Sequence, residues 1–198
     1  MNTKQLKVLF YVYDFDDEPL GILYIAGTLR KCGVLVDIVL TKYENYIQIT
    51  KNFKPDIAAF TITTGFDRYY LGVAAELKKL DSLILTVFGG PHCTFYPDFI
   101  RLNPEVDIVF RGESETAVEE FIGRFRRNED YTTVKNISCR IDGKIYENEL
   151  NDLTQNIDDL AQPNRALLTK YKFYRVGAKK DMITGRGCPF NCSYCFNH

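Results

Sequence analysis

Leu6-Lys7-Val8-Leu9-Phe10-Tyr11-Val12-Tyr13 is an apolar, aromatic-rich run, and after a break at Asp14–Pro19 comes the longer amphipathic stretch Leu20–Cys32. Gly33 then ends that stretch, and Val34-Leu35-Val36-Asp37-Ile38-Val39-Leu40 resumes the short β-branched texture. A strand pattern, a helix pattern and a second strand pattern in this order define a β-α-β unit. Pro19 near the helix start and Gly33 just past its end are the residues such a helix uses at its two ends. The alternation continues. Further strands are predicted at Asp56–Ile62, Leu83–Phe88 and Val106–Phe110, with helices at Tyr43–Phe53, Arg68–Leu80, Phe95–Leu102 and Glu115–Arg127. Five strands alternating with helices predict an α/β fold: a five-stranded parallel sheet with helices on both faces. Ligands of such sheets bind beyond the carboxyl ends of the strands, where the strand order reverses.

After Asn128 the texture changes. Ile137–Ile141, Asp142-Gly143 and Lys144–Glu149 read as a β-hairpin with an Asp-Gly turn. Residues 150–164 are polar and acidic, end in Gln162-Pro163-Asn164, and read as a linker. A locally basic segment follows from Arg165 to Lys180, and Asp181–Thr184 is expected as a short strand.

The 198 residues hold one α/β domain plus a smaller appendage. A net charge of -1 argues against a dedicated nucleic-acid or membrane-surface binder. The longest apolar stretch, Leu20–Leu29, is half a membrane span and stops at Arg30-Lys31. Met1–Lys7 is polar and has no signal-peptide character. Cys32, Cys93 and Cys139 follow no framework spacing, which fits a reducing cytoplasm.

The remaining cysteines are different. Gly185-Arg186-Gly187-Cys188-Pro189-Phe190-Asn191-Cys192-Ser193-Tyr194-Cys195 places three thiols in a C-x3-C-x2-C run. With 6 Cys in the chain, two more at fixed offsets from a first arise by chance roughly once in a thousand tries. Three thiolates on one short loop can hold three irons of a cubane cluster and leave the fourth iron open. The rival is zinc, with His198 completing a Cys3His set alongside Cys188, Cys192 and Cys195. Tyr194 places an aromatic ring beside either site, within reach of a purine.

Several upstream loops follow strand ends. Phe88-Gly89-Gly90-Pro91-His92 follows the fourth strand, and its paired glycines let a flat ligand lie against backbone or simply make the turn. His92 is either a ligand or a hydrogen-bonded bystander. In Arg111-Gly112-Glu113-Ser114-Glu115, Ser114 is a candidate helix cap and Glu113 the group expected to point into the cleft. Thr61, Thr63 and Thr64 close the third strand with hydroxyls that bond a ligand or the backbone. The acidic stretch Asp14-Phe15-Asp16-Asp17-Glu18 reads as a solvated loop, with a cation as the alternative.

Taken together, these motifs resemble cobalamin-binding-domain radical S-adenosylmethionine proteins, the group that includes class B methylases. The resemblance rests on Pro19-Leu20-Gly21 leading Tyr24-Ile25-Ala26, on Gly89-Gly90-Pro91-His92, on Arg111-Gly112-Glu113-Ser114-Glu115, and on Arg186-Gly187-Cys188 through Cys195. It implies a Rossmann-like sheet of flavodoxin-like strand order over residues 1–128, a hairpin and linker over 129–164, and the start of a radical SAM partial barrel over 165–198. Cofactor contacts would come from Thr61, Thr63, Gly89, Gly90, Pro91, His92, Gly112, Glu113 and Tyr194. Cys188, Cys192 and Cys195 would bind a 4Fe–4S cluster whose open iron chelates S-adenosylmethionine. The family uses the reduced cluster to generate a 5′-deoxyadenosyl radical, and methylcobalamin to supply a methyl group; some members carry out ring or rearrangement chemistry instead. A small-molecule substrate and an electron donor such as flavodoxin or ferredoxin are implied partners.

The chain departs from the family pattern in two places. Many cobalamin domains carry Asp-x-His-x-x-Gly after the first strand, and Asp14–Gly21 contains no histidine. The expectation is therefore base-off cobalamin without a histidine axial ligand. The family's barrel also continues well past its cluster loop, so these residues alone are not expected to turn over substrate. Two non-catalytic readings stay open: a corrinoid-binding module, and a zinc-stabilised Rossmann-like interaction domain.

Overall fold

The computed structural model describes residues 5–176 and 180–195. Strands β1 (Lys7–Val12), β2 (Leu35–Leu40), β3 (Ile57–Thr61), β4 (Leu85–Gly89) and β5 (Ile108–Phe110) pair in parallel in the order β2-β1-β3-β4-β5. This is the flavodoxin-like order, with its switch point between β1 and β3. The sheet does not end at five strands. The hairpin β6 (Ile137–Ile141) and β7 (Lys144–Glu147) adds to its edge, β6 running antiparallel to β5, so the sheet has seven strands. Asp142 and Gly143 take φ values of 49° and 77°, the paired positive φ of a type I′ hairpin turn.

Both faces of the sheet are covered. On β1, Val8, Phe10 and Val12 face one layer while Leu9 and Tyr11 face the other, which is why the strand reads as a continuous apolar run. The first layer contains α1 (Leu20–Lys31) and α6 (Glu115–Arg126), packed side by side. The second contains α2 (Tyr46–Phe53) and α3 (Asp67–Leu80), with the short helices α4 (Pro91–Phe95) and α5 (Phe99–Leu102). Leu23 and Leu29 of α1 are buried in the first layer, each contributing about 1.5–3 kcal/mol relative to exposure.

Local chemistry explains where the elements differ from the sequence pattern. A helix is predicted from Tyr43, but α2 starts at Tyr46 because the Asn45 side chain accepts from Gln48 N at 3.0 Å and caps it there. The helix predicted from Phe95 to Leu102 is instead two short pieces. Pro91 opens α4, and Tyr96 leaves helical geometry (φ −127°, ψ 77°) ahead of Pro97, which disfavours the helical region for the residue before it. Ser114 does not cap α6; its hydroxyl donates to Gly112 O at 3.0 Å instead. Asp181–Thr184 forms no strand.

Residues 150–164, read as a linker, are bonded to the sheet domain near both ends. Thr154 N donates to Glu113 Oε2 at 2.7 Å, and Asn164 N donates to Leu23 O of α1 at 2.9 Å. Beyond them, Leu167 and Leu168 enter the same core as α1 and α6. The short helix α7 (Lys172–Val176) follows. No helix among the described residues is long and apolar enough to cross a membrane.

Candidate functional site

A cavity of about 360 Å3 runs between the sheet and the α1–α6 layer and opens at the carboxyl edge of the strands. Its floor is Val8, Phe10, Ala59 and Val87. Gly21, Ile25 and Leu29, each four residues apart on α1, form one wall; Val118, Phe121 and Ile122 of α6 form the other. Such spacing places each set on one helical face. The slot is apolar to its base and polar only at its mouth, where Thr61, Gly112, Glu113 and Glu115 lie. A slot of this size and lining suits a flat heteroaromatic group attached to something larger outside.

The two glycines after β4 have different functions. Gly89 lines the cavity in the ordinary way. Gly90 is required by the fold itself: its φ is +96°, and a Cβ there would stand 2.8 Å from Ile62 O. Pro91 also lines the mouth, whereas Thr63 and His92 do not. His92 Nδ1 instead pairs with Thr64 Oγ1 at 3.0 Å, and its ring meets Phe99 edge-on at 5.3 Å. It is a packed, hydrogen-bonded residue at the rim.

Glu113 lines the mouth but is not a free acid. Its Oε2 accepts from Thr154 N, and its Oε1 lies 3.7 Å from an Arg186 nitrogen. Arg186 comes from the cysteine loop. Its guanidinium makes a two-pronged pair with Glu115 at 2.5 and 3.2 Å and sits 5.5 Å over the Tyr24 ring of α1. The Glu115 bond holds the guanidinium proton more tightly than usual. Ile183, from the same segment, also lines the cavity.

The acidic first loop is not simply solvated. Asp14 accepts from Lys42 Nζ and Tyr43 OH, both at 2.6 Å. The Glu18 side chain is only 4% exposed and accepts from Arg165, Tyr174 OH and Asp181 N. Burial opposes its charge, but those donors outweigh burial and hold its carboxyl below the ordinary value. Nothing in the sequence singles out Glu18, because its partners lie some 150 residues away, as in the separation of 147 to Arg165.

On the cysteine loop, Cys188 and Cys192 are half-buried and Cys195 is exposed. Cys195 N donates to Cys192 O at 3.0 Å, so the backbone turns between the second and third cysteines. The donors suit an iron–sulfur cluster in kind and number. Among the described residues, no three His, Cys, Asp or Glu side chains are gathered around a common point as ligands. Tyr194 is exposed and away from the cavity. His198, the fourth ligand of the zinc reading, lies outside the described residues. Cys93 and Cys139 are buried in the core, and burial pushes their thiols up, that of Cys139 to about 11.

Comparisons with known proteins agree with this geometry. The B12 binding domain family matches residues 6–122. An uncharacterized methyltransferase of Pyrococcus horikoshii is 32% identical over 188 residues, covering 89% of this chain and 40% of that protein. An anaerobic magnesium-protoporphyrin IX monomethyl ester cyclase of Rubrivivax gelatinosus is 30% identical over 196 residues, with 89% and 34% covered. The chain thus spans two-fifths or less of the length of these relatives. Among solved structures, the cobalamin-dependent S-adenosylmethionine radical enzyme OxsB, with aqua-cobalamin and S-adenosylmethionine bound, shares the fold. Its TM-score is 0.78 at 18% identity, covering 98% of this chain and 28% of that one. The family match spans the parallel sheet in flavodoxin-like order and both helical walls of the apolar slot, and the chain belongs to the B12 binding domain family.

Proposed function

We propose that this chain is the cofactor-holding portion of a cobalamin-dependent radical S-adenosylmethionine enzyme of the methyl-transferring kind. The observation that carries the reading is the apolar slot between α1 and α6. Cobalamin bound base-off must house its displaced dimethylbenzimidazole away from water, and the slot offers that ring an apolar bed. Ile25, Leu29, Val118 and Phe121 would sandwich the ring, while Gly89 and Gly112 leave room at the mouth for the linkage to the corrin. With no histidine between Asp14 and Gly21, the lower cobalt face would have no imidazole ligand from that loop.

Cys188, Cys192 and Cys195 would hold a 4Fe–4S cluster with one iron open to S-adenosylmethionine. When bound, the cluster and S-adenosylmethionine supply a carbon radical and the corrinoid supplies the methyl group, the chemistry belonging to the cofactors. The chain's own residues place and shelter them: Glu115 and Glu113 anchor the cysteine loop through Arg186, and the α1–α6 walls exclude water from the slot. A small-molecule substrate and a reducing donor such as flavodoxin or ferredoxin complete the proposed reaction.

Titration of the protein with hydroxocobalamin tests the first half. Saturable uptake is expected, and EPR of the reduced cob(II)alamin should lack nitrogen superhyperfine splitting on the lower face. Clear nitrogen splitting would overturn the reading of base-off cobalamin without a histidine ligand. Anaerobic reconstitution tests the second half, with about four iron and four sulfide per chain expected for a cubane. The alternative is a corrinoid-binding module without a cluster. Corrinoid uptake without iron would decide for it.

A further inference from the structure

Residues 181–186 are fastened at both ends to opposite sides of the slot. At one end, Asp181 and Glu18 exchange bonds, Asp181 N to Glu18 Oε2 at 2.9 Å and Glu18 N to Asp181 Oδ2 at 3.0 Å. Arg165 and Tyr174 tie the same carboxylate down. At the other end, Arg186 grips Glu115 at the first turn of α6 and covers Tyr24 of α1. Between the two fastenings, Ile183 forms part of the cavity wall. Gly185 and Gly187 flank Arg186, and Gly187 at φ +70° lets the chain turn directly into Cys188.

The cavity persists with this segment in place, so the segment walls the slot without filling it. It is also the stretch that leads directly into the three cysteines. Its closed position therefore sets where the cysteine loop stands relative to the slot. A ligand in the slot that touches Ile183 and the Arg186 stem binds the closed arrangement better than the open one. By linkage, ligand and closure then stabilise each other.

We propose that residues 181–186 are a two-ended strap, with Arg186 as its positioning residue, that couples filling of the cobalamin slot to ordering of the cysteine loop. The proposal rests on the cobalamin reading above. Arg186 acts through Glu115 and Glu113, its planar fork matching a carboxylate in a way lysine's point charge does not. A two-pronged charge-assisted pair of this kind, half-shielded from water, is among the stronger polar contacts a loop can make.

The test uses the 198-residue chain and hydroxocobalamin. Hydrogen–deuterium exchange of the wild type, read at the amides of 183–187, should slow on adding hydroxocobalamin. Arg186→Gln should release the corrinoid roughly tenfold faster and lose that protection, with Arg186→Lys intermediate. Wild-type exchange that is unchanged at saturation would overturn the strap while leaving the cobalamin reading intact. So would equal release rates for wild type and a folded Arg186→Gln. If the wild type takes up no hydroxocobalamin, the functional reading fails and the strap falls with it, a result distinct from the others. The exchange measurement needs no variant, so misfolding of Arg186→Gln does not rescue the idea.

Discussion

The carbonyl oxygen of Gln162 stands where Gly27 of α1 would carry a side chain: a Cβ built there comes within 2.2 Å of it. The backbone of residues 161–164 thus lies flat on α1, and the adjacent Asn164 N bonds to Leu23 O. Gly27→Ala should lift this segment from the helix and destabilise the protein by roughly 1–3 kcal/mol, despite alanine's higher helix propensity. Urea unfolding checks it. A midpoint equal to or above the wild type's would show that the close approach is not maintained in solution.

Glu18 should give the protein an acid-sensitive component of stability. Its carboxyl sits below the ordinary value of 4.5, so the native state favours the ionised form. That contribution is complete above the unfolded pKa and fades as pH falls through the lower native value. Glu18→Gln should cost roughly 1–3 kcal/mol at pH 7, with wild type and variant converging below about pH 4. Unfolding midpoints measured from pH 7 down to pH 3 read this directly. Parallel curves across that range would remove Glu18 from the account.

Filling the slot should separate folding from binding. Ala59 sits on the cavity floor, and Ala59→Leu adds apolar volume into empty space. Stability should hold or rise, while hydroxocobalamin affinity should fall by roughly tenfold or more. Thermal melting and absorption titration of the same preparation give both numbers. Undiminished affinity in a folded variant would place the ligand elsewhere.

Five of the six cysteines should divide by reactivity. Cys93 and Cys139 are buried with raised thiols, so little thiolate forms and little reagent arrives. Native-state alkylation at pH 8 should modify Cys188, Cys192 and Cys195 at least tenfold faster, read by peptide mass spectrometry. After anaerobic iron loading, those three should become protected together. Protection of one without the others would argue against a shared cluster.

Much of the sheet was legible because parallel strands buried on both faces have nowhere to put polar residues. Ile57–Thr61 is the example, flanked by Asp56 and by the threonines at its end. The loops after β4 and β5 followed from that alternation, whereas the strand order, and with it the switch point, came only from the family resemblance. The slot was only half legible. Gly89, Gly112 and Glu113 carry local signals, but Ile25 and Val118 look like ordinary core positions, and only the spacing between α1 and α6 makes them cavity walls. The docking of residues 150–168 was not legible at all. A polar, proline-containing segment reads as a linker, because a backbone bond such as Asn164 N to Leu23 O leaves no trace in side-chain chemistry. Likewise, the Asp142-Gly143 hairpin was clear from its turn, yet its joining to β5 depended on the free edge of a strand only three residues long.

Leu168 is wholly sequestered in the layer built by α1 and α6, and Leu167 nearly so. The core of the domain therefore runs at least to Leu168, well past the end of the family match at residue 122. A protein trimmed at 122 or 128 would expose the apolar seat of those two leucines and the unpaired rim of β5. Anyone dissecting this polypeptide should expect such a truncation to clump, and should place the cut beyond Tyr171.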